Sequence, residues 1–453
     1  MKVDVLVLGG GLAGLSTAYH LKRSGKRVTW LVVEKRAAPG GLAGSVSQDG
    51  FVFDHTGHLL HLHDAYGMRL ILDLLEGNVG VQNRNSWIYS HETFTRYPFQ
   101  ANTCGLPPRV VEDCVAGFLK TVHRPRPAPP GLSFGAWCRR TFGEGISRHF
   151  MLPYNRKLWC RPLDRMTTEW QGRFVPKPSP EEVLYGGLLD QKKFFGYNAT
   201  FRYPLRGGIQ ALPDALAARV PNLRLGCAVR KVDLAEKVAA IDGIGEVRYE
   251  RLVNTLPLAQ FLDLASPLTE AARAARRKLR WITVYNLNLG VARPKMSDKH
   301  WIYFPEGRFP FYRAGFSSNF SPSVAPRATS SMYIEVSRRP QERVDLDRLE
   351  RSILAGLAGC GLLRSSDKLL ARVWLPIPCA YVVYDFDRTP AVNALFAFLK
   401  SRGVESIGRY GAWKYSFMEE TILDGKRCAD RLLGRSPEPA SRQPSDRELR
   451  PLK

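Results

Sequence analysis

Gly9, Gly11 and Gly14 stand in the spacing G-x-G-x-x-G, and Glu34 follows Gly14 at the distance of about 20 residues that a ribose-binding carboxylate keeps from such a turn. Each glycine answers a separate demand. Gly9 permits a tight turn, Gly11 lets backbone N–H groups approach a pyrophosphate, and Gly14 lets a helix pack close to a strand. Glu34 can hydrogen-bond both ribose hydroxyls of an adenine nucleotide and would repel a 2′-phosphate, which favours FAD or NAD over NADP. A second glycine pair, Gly40 and Gly41, follows in KRAAPGGLAGS, residues 35–45.

Other residues could do chemistry. His55, His58, His61 and His63 form a cluster whose spacing does not match HExxH and which has no Cys or Glu partner nearby, so no metal is expected. Gly57-His58 reads instead as a histidine held beside the bound cofactor. The stretch from Phe150 to Trp159 (FMLPYNRKLW), followed by Trp170-Gln171-Gly172-Arg173, mixes aromatics with Arg, Lys and Asn. That mixture suits stacking on a base while holding phosphates, and it equally suits a helix with a buried aromatic face. Ile407 to Gly411 (IGRYG) before a helix is a second anion site, fitted to ribityl and pyrophosphate oxygens.

Elements that would position these groups are legible around them. Lys2–Leu8 reads as a strand, the residues after Gly11 as a helix stopping at Gly25, and 27–33 as a second strand. Tyr66 to Glu76 is amphipathic and helical; Ser86 to Tyr97 is hairpin-like; 101–195 is mostly helical, broken by a proline-rich loop at 124–131. Strands are expected at 223–229 and 251–256, with an Asp242-Gly243 turn between two more. Alternating strands from 281 to 336 form a mixed sheet over the flavin, a helix spans 344–357, Tyr381 to Asp385 lies on a strand, and a helix runs from Met418 to Leu433. The expected fold class is α/β, a Rossmann-like FAD-binding domain with an inserted helical domain and a mixed-sheet substrate domain. Its parts are FAD-binding at 1–98, 197–280 and 401–434, helical substrate-binding at 99–196, mixed-sheet substrate-binding at 281–400, and a disordered tail at 435–453.

The chain has 453 residues, 44% of them hydrophobic, enough for more than one core. No apolar run reaches membrane-span length and the first residues read as a strand rather than a leader, so a cytoplasmic location is expected. Eight scattered cysteines show neither CxxC nor zinc spacing. The net charge of +24 is dispersed apart from RAARRKLR at 273–280 and accompanies no nucleic-acid module, which points to an anionic substrate in a positive cleft.

The glycine pair after the acidic strand end resembles the FAD-binding start of the flavin amine oxidase and protoporphyrinogen oxidase superfamily. Six further motifs, in order, resemble UDP-galactopyranose mutases, especially their eukaryotic branch: TGH at 56–58, YPFQ at 97–100, PYNRKLW at 153–159, NATFRYPLRGG at 198–208, WIYFPEGRFPFYRAGFSSNFSP at 301–322 and GRYGAWKYSFM at 408–418. What the resemblance implies is a redox-neutral reaction in which N5 of reduced FAD attacks the anomeric carbon of an NDP-sugar, the nucleotide diphosphate leaves and returns, and the ring recloses through a different hydroxyl. NAD(P)H would serve as a transient reductant. The alternative is an FAD-dependent oxidase, dehydrogenase or desaturase of the wider superfamily.

By the same resemblance, His58, Arg313 and Arg409 are catalytic. Gly9, Gly11, Gly14, Glu34, Lys35, Gly41, Leu42, Gly57, Val229, Arg409, Tyr415 and Ser416 hold the cofactor. His61, Tyr97, Gln100, Tyr154, Trp159, Arg173, Asn198, Tyr303, Tyr312, Arg313, Tyr381 and Tyr415 hold the nucleotide-sugar. Three departures fall at the substrate. Phe174 stands where the family has a second diphosphate arginine, with Arg173 one place earlier; His61 replaces a phenylalanine over the sugar; and a short segment carrying a substrate asparagine is missing between Tyr415 and Ser416.

Overall fold

The computed structural model describes residues 1–123, 129–193, 195–196 and 199–436, with the side chain of Arg173 left out. The Asn198 expectation, part of the proline-rich loop and the tail from 437 onward lie outside the described residues.

Strand β1 (Lys2–Leu8) has apolar residues on both faces because both faces are covered, the pattern of a central parallel strand. It pairs in parallel with β2 (Trp30–Val33) on one side and with the Gly245–Asn254 strand on the other, Leu8 lying opposite both Val33 and Asn254. Eight strands make this sheet, with an antiparallel extension through Val238–Ile241 and Val229–Asp233, and Val404–Ser406 returning late in the chain to pair beside Asn254. The helix α1 (Leu12–Arg23) leaves β1 through the glycine turn and packs against the Met418–Leu432 helix. That packing is close: a Cβ on Gly425 would stand 2.6 Å from the Ser16 Cβ, and the Ser16 hydroxyl donates to the Ile422 carbonyl at 2.6 Å.

A second sheet of seven strands runs Leu369–Val382, Trp281–Val291, Ser330–Arg338, Arg313–Gly315, Trp301–Tyr303, Ser86–Ser90, Thr93–Arg96. Its pairings are antiparallel except that between Trp301–Tyr303 and Ser86–Ser90, so it is mixed. Helices Pro108–His123, Phe134–Ile146, Leu152–Trp159 and Pro180–Leu188 fill the stretch between Thr93–Arg96 and the return to the first sheet.

Three local expectations are corrected. Residues 223–229 are two strands rather than one: Leu223–Arg224 pairs with β2 while Val229–Asp233 joins the antiparallel extension, the chain turning between them at Gly226 with φ 70°. The strand carrying Tyr381 begins at Leu369 and ends at Val382, so Asp385 lies beyond it and bridges Met166 alone. Gly408–Gly411 is itself one helical turn, and Gly408 has φ 76°, which an L residue rarely adopts.

Asp54, fully buried at the end of the Phe51–Asp54 strand and next to the histidine loop, ties that strand to the seven-stranded sheet through Asn286 and to the segments carrying Ser45, Tyr203 and Ile209. Its carboxylate accepts from Ser45 Oγ at 2.6 Å, Tyr203 Oη at 2.7 Å and the Ile209 amide at 3.3 Å, and its carbonyl accepts from Asn286 Nδ2. Asp54→Ala strands these donors in the interior and is expected to cost about 3 kcal/mol, with Asp54→Asn costing on the order of 1 kcal/mol. Denaturant unfolding of the two variants measures the difference.

Candidate functional site

A cavity of about 690 Å³ runs between the two sheets from the end of β2 to the Arg313–Gly315 strand. At its first end Gly9 has φ 102°, and a Cβ on Gly14 would stand 2.0 Å from the Gly9 carbonyl oxygen, so neither position tolerates a side chain. Gly11 borders open space: only the Gly40 carbonyl comes within 4.0 Å of where its Cβ would be. Gly40 and Gly41 both have positive φ, and Gly40 donates to the Gly10 carbonyl at 2.8 Å, which folds the second glycine turn against the first. Glu34 is buried at the rim, accepting from the Gly10 amide at 2.8 Å and the Arg36 amide at 2.9 Å. Those bonds aim it while leaving oxygen lone pairs for ribose hydroxyls. The cradle therefore fits a dinucleotide such as FAD.

The opposite end is built by register. Tyr303 lies directly across from Arg313, and Arg313 directly across from Glu335. Directly opposed residues share a face of the sheet, so the three side chains form one row. Glu335 Oε1 accepts from Arg313 Nε at 3.0 Å and Nη2 at 2.6 Å, while Glu335 Oε2 accepts from the Tyr312 hydroxyl. Burial disfavours the charge on Arg313, but Glu335 more than reverses this and holds its pKa well above the ordinary value. The ring of Tyr333 underlies the row, with the Arg313 guanidinium 5.9 Å from its centroid. It reaches so close to Gly57 and Gly315 that a Cβ on either would stand 2.3 and 2.2 Å from its atoms.

Arg409, on the one-turn helix, is the second cation. It donates to the carbonyls of Ser416 and Ala380 and has no carboxylate within ion-pair distance among the described residues. Three tyrosine rings enclose it, with centroids 5.0 Å (Tyr381), 5.2 Å (Tyr415) and 5.8 Å (Tyr410) from the guanidinium carbon. Burial acts against its charge, and the tyrosines Tyr410, Tyr381 and Tyr415 turn the balance upward. With Arg313 neutralised by Glu335, Arg409 is, among the described residues lining this end, the cation without a carboxylate partner.

His58 borders the cavity on the loop after Thr56, a β-branched residue held at φ 101°. Its Nδ1 is buried with no hydrogen-bond partner among the described residues. Burial first, then the charges of His55, Arg409 and Arg313, push its pKa down to about 3. His61, also on the wall, is lowered to about 4 by burial, His63 and Arg84. Both rings are neutral at physiological pH and can donate or accept a hydrogen bond without carrying charge.

The cavity gathers Gly9, Gly11, Glu34, Lys35, Gly41, Leu42, Gly57, His58, His61, Tyr97, Val229, Tyr303, Arg313, Tyr381, Arg409, Tyr415 and Ser416 from the expected set. Four expected substrate contacts lie behind its wall instead. Tyr154 packs on the Tyr303 and Tyr312 rings, Tyr312 serves Glu335, Trp159 packs against Tyr381, and the Gln100 amide donates to the Pro176 carbonyl at 2.8 Å. Tyr154 and Trp159 fill space between helix and sheet, which a motif read as a linear string does not reveal. Gly14 sits under the glycine turn rather than on the cavity. Phe174 borders the cavity and meets the Tyr415 ring edge-on at 4.7 Å between centroids. Among the described residues no group of three or more His, Cys, Asp or Glu is placed to hold a metal.

Sequence reading missed Glu335, Tyr333, Tyr410 and Trp301. The indole Nε1 of Trp301 is a buried donor on the cavity wall without a partner among the described residues. Alternation over 330–338 groups Met332, Ile334 and Val336 on one face and Ser331, Glu335 and Ser337 on the other, the pattern of a half-exposed strand, so the local sequence gives no sign that Glu335 is buried, as the fold makes it.

A family model described as flavin containing amine oxidoreductase matches residues 12–433. The solved structure of a reduced UDP-galactopyranose mutase superposes with a TM-score of 0.91 at 28% identity, covering 97% of this chain and 95% of that one. Putrescine oxidase bound to putrescine superposes at 0.65 with 17% identity over 96% of this chain and 100% of that one, a likeness of fold. Among characterised relatives, coproporphyrinogen III oxidase of Staphylococcus aureus (strain NCTC 8325 / PS 47) is 23% identical over 58% of this chain and 62% of its own length. Phytoene dehydrogenase of Streptomyces griseus is 52% identical over 11% of this chain and 10% of its own length. The chain thus spans less than two thirds of either relative.

The histidines set a pH dependence. His58, His61, His20 and His300 all have folded pKa values of about 3 to 4, each through burial foremost. The unfolded chain takes up protons near pH 6.5 that the folded chain refuses, so their contribution is complete above about pH 6.5 and declines as pH falls. Asp54, raised to about 6 by burial, acts in the opposite sense but is one group. The melting temperature should fall between pH 7 and pH 5, and His58→Asn should flatten that slope; calorimetry across the range measures both.

Proposed function

The chain belongs to the flavin containing amine oxidoreductase family, and within it we propose that this member is an FAD-dependent mutase interconverting pyranose and furanose forms of an NDP-sugar. The observation that carries this reading is the cationic end of the cavity, where Arg409 has tyrosines and carbonyls for neighbours but, among the described residues, no acid within ion-pair distance. The similarity over nearly the whole chain to a reduced UDP-galactopyranose mutase supports it.

A buried cation without a counter-ion is costly, and an anionic ligand removes that cost on binding. Arg409 and Arg313 line the same cavity as His58. A diphosphate there would take charge-assisted bonds from the guanidinium groups and hydroxyl bonds from Tyr303, Tyr381 and Tyr415. Such donors gain strength as negative charge develops on a departing diphosphate, so they favour bond cleavage over ground-state binding. Reduced flavin, when bound, supplies the nucleophile toward the anomeric carbon. The glycine cradle and Glu34 would hold its adenosine and pyrophosphate, with Lys35, Leu42, Val229, Ser416 and Gly57 along its length. Neutral His58 offers a hydrogen bond and does not act as a proton donor near pH 7. His61, which lines the cavity together with Tyr97, would face the sugar and influence which hexose is accepted. NAD(P)H is the proposed transient reductant.

Prereduced protein incubated with UDP-, GDP- and dTDP-hexoses should convert at least one to its ring isomer without consuming oxidant, read by chromatography of the released sugars. Arg409→Ala should lower kcat/KM about 100-fold or more, with Arg313→Ala similar. Oxygen uptake or acceptor reduction in step with turnover of an amine or alkene, and no isomer from any sugar nucleotide, overturns the mutase reading in favour of an oxidoreductase.

A further inference from the structure

We infer that Lys157 is a positioning residue that fixes the loop between the Trp301–Tyr303 and Arg313–Gly315 strands and so sets how Arg313 is presented to the cavity. The PYNRKLW stretch reads in sequence as a phosphate-holding candidate. In the folded chain its lysine points the other way, into backbone. Lys157 Nζ donates to the carbonyls of Phe304 at 2.7 Å, Glu306 at 3.0 Å and Phe311 at 2.5 Å.

Three donors meet three acceptors, which uses the whole ammonium. Burial pushes its pKa down to about 7, with Glu306 acting the other way. A neutral amine has two N–H groups, so only the charged form can serve all three carbonyls. The loop needs such a tether because the two strands it joins are short. They pair at three positions, Trp301 with Gly315, Ile302 with Ala314 and Tyr303 with Arg313. Beyond them the hairpin is closed by the Phe304 amide on the Tyr312 carbonyl at 2.9 Å. Tyr303 and Arg313, the pair next to the loop, both reach the cavity.

The helix that carries Lys157 is fixed in turn. Leu152–Trp159 follows a π-helical stretch, Ser147–Met151, and such an inserted residue rotates the helix face that comes after it. Tyr154 and Lys157, three apart, share that face. Tyr154 meets the Tyr303 ring at 5.4 Å and the Tyr312 ring at 6.2 Å between centroids, so ring packing and the lysine tether grip the same hairpin from one helix.

The consequence for nucleotide binding rests on the mutase reading, whereas the tether does not, and the test separates them. Hydrogen–deuterium exchange of the FAD-loaded protein should show lost protection across residues 304–312 in Lys157→Met and a smaller loss in Lys157→Gln, which keeps two donors. UDP affinity, measured by titration calorimetry, should weaken about tenfold in Lys157→Met yet change less than about twofold when the same substitution is made in Arg313→Ala, because the effect passes through Arg313. Equal losses in both backgrounds, or unchanged exchange at 304–312, overturn the inference. If Lys157→Met does not fold, Lys157→Gln is judged by the same two readouts. Failure of the unmodified protein to bind UDP sinks the mutase reading and leaves exchange at 304–312 to decide the tether.

Discussion

The buried pair of Arg313 and Glu335 is the constraint around which the substrate end is arranged. A guanidinium taken from water into a wall of aromatic rings is tolerated when its charge is matched and its donors are met. Glu335 does both from the neighbouring strand, and the Tyr312 hydroxyl occupies its other oxygen. Because the two residues are directly opposed in register, a slip of one position would send every side chain of the row to the other face and leave two ions stranded. The register of a three-residue strand is thus held as much by electrostatics as by its few ladder bonds.

That neutral pair changes the meaning of the second arginine. Arg409 is enclosed by ring faces, which stabilise a cation through their quadrupoles without cancelling it. The cavity consequently carries a positive charge at one end and, at the other, glycine turns with open space at Gly11 for a phosphate to approach the backbone. The chain's overall excess of basic residues adds a long-range field of the same sign, and salt screens that field more than it screens the enclosed Arg409.

How far the sequence could be read depended on the range of the physics. The G-x-G-x-x-G turn, Glu34 and the Gly40-Gly41 pair are local: each glycine is dictated by φ or by an approach distance within one strand–turn–helix unit, so spacing was enough. The break of 223–229 into two strands was not legible, because an apolar run does not say that its halves pair with opposite edges of one sheet. The same limit explains Tyr154, Trp159, Gln100 and Tyr312. Motif position placed them among substrate contacts, and the fold turned them into the wall behind.

What the sequence determined by itself is the nucleotide cradle and the order of elements, since backbone conformation and hydrophobic period act between residues close in the chain. Only the tertiary structure decided which arginine is neutral and which is not. Glu335 lies 22 residues from Arg313 and is brought opposite it by strand pairing, and Arg409, with Tyr410 and Tyr415 near it in the chain, meets Tyr381 only through the fold. Whether a buried charge is compensated depends on distances of a few ångströms across strands and helices, and no spacing along the chain encodes those.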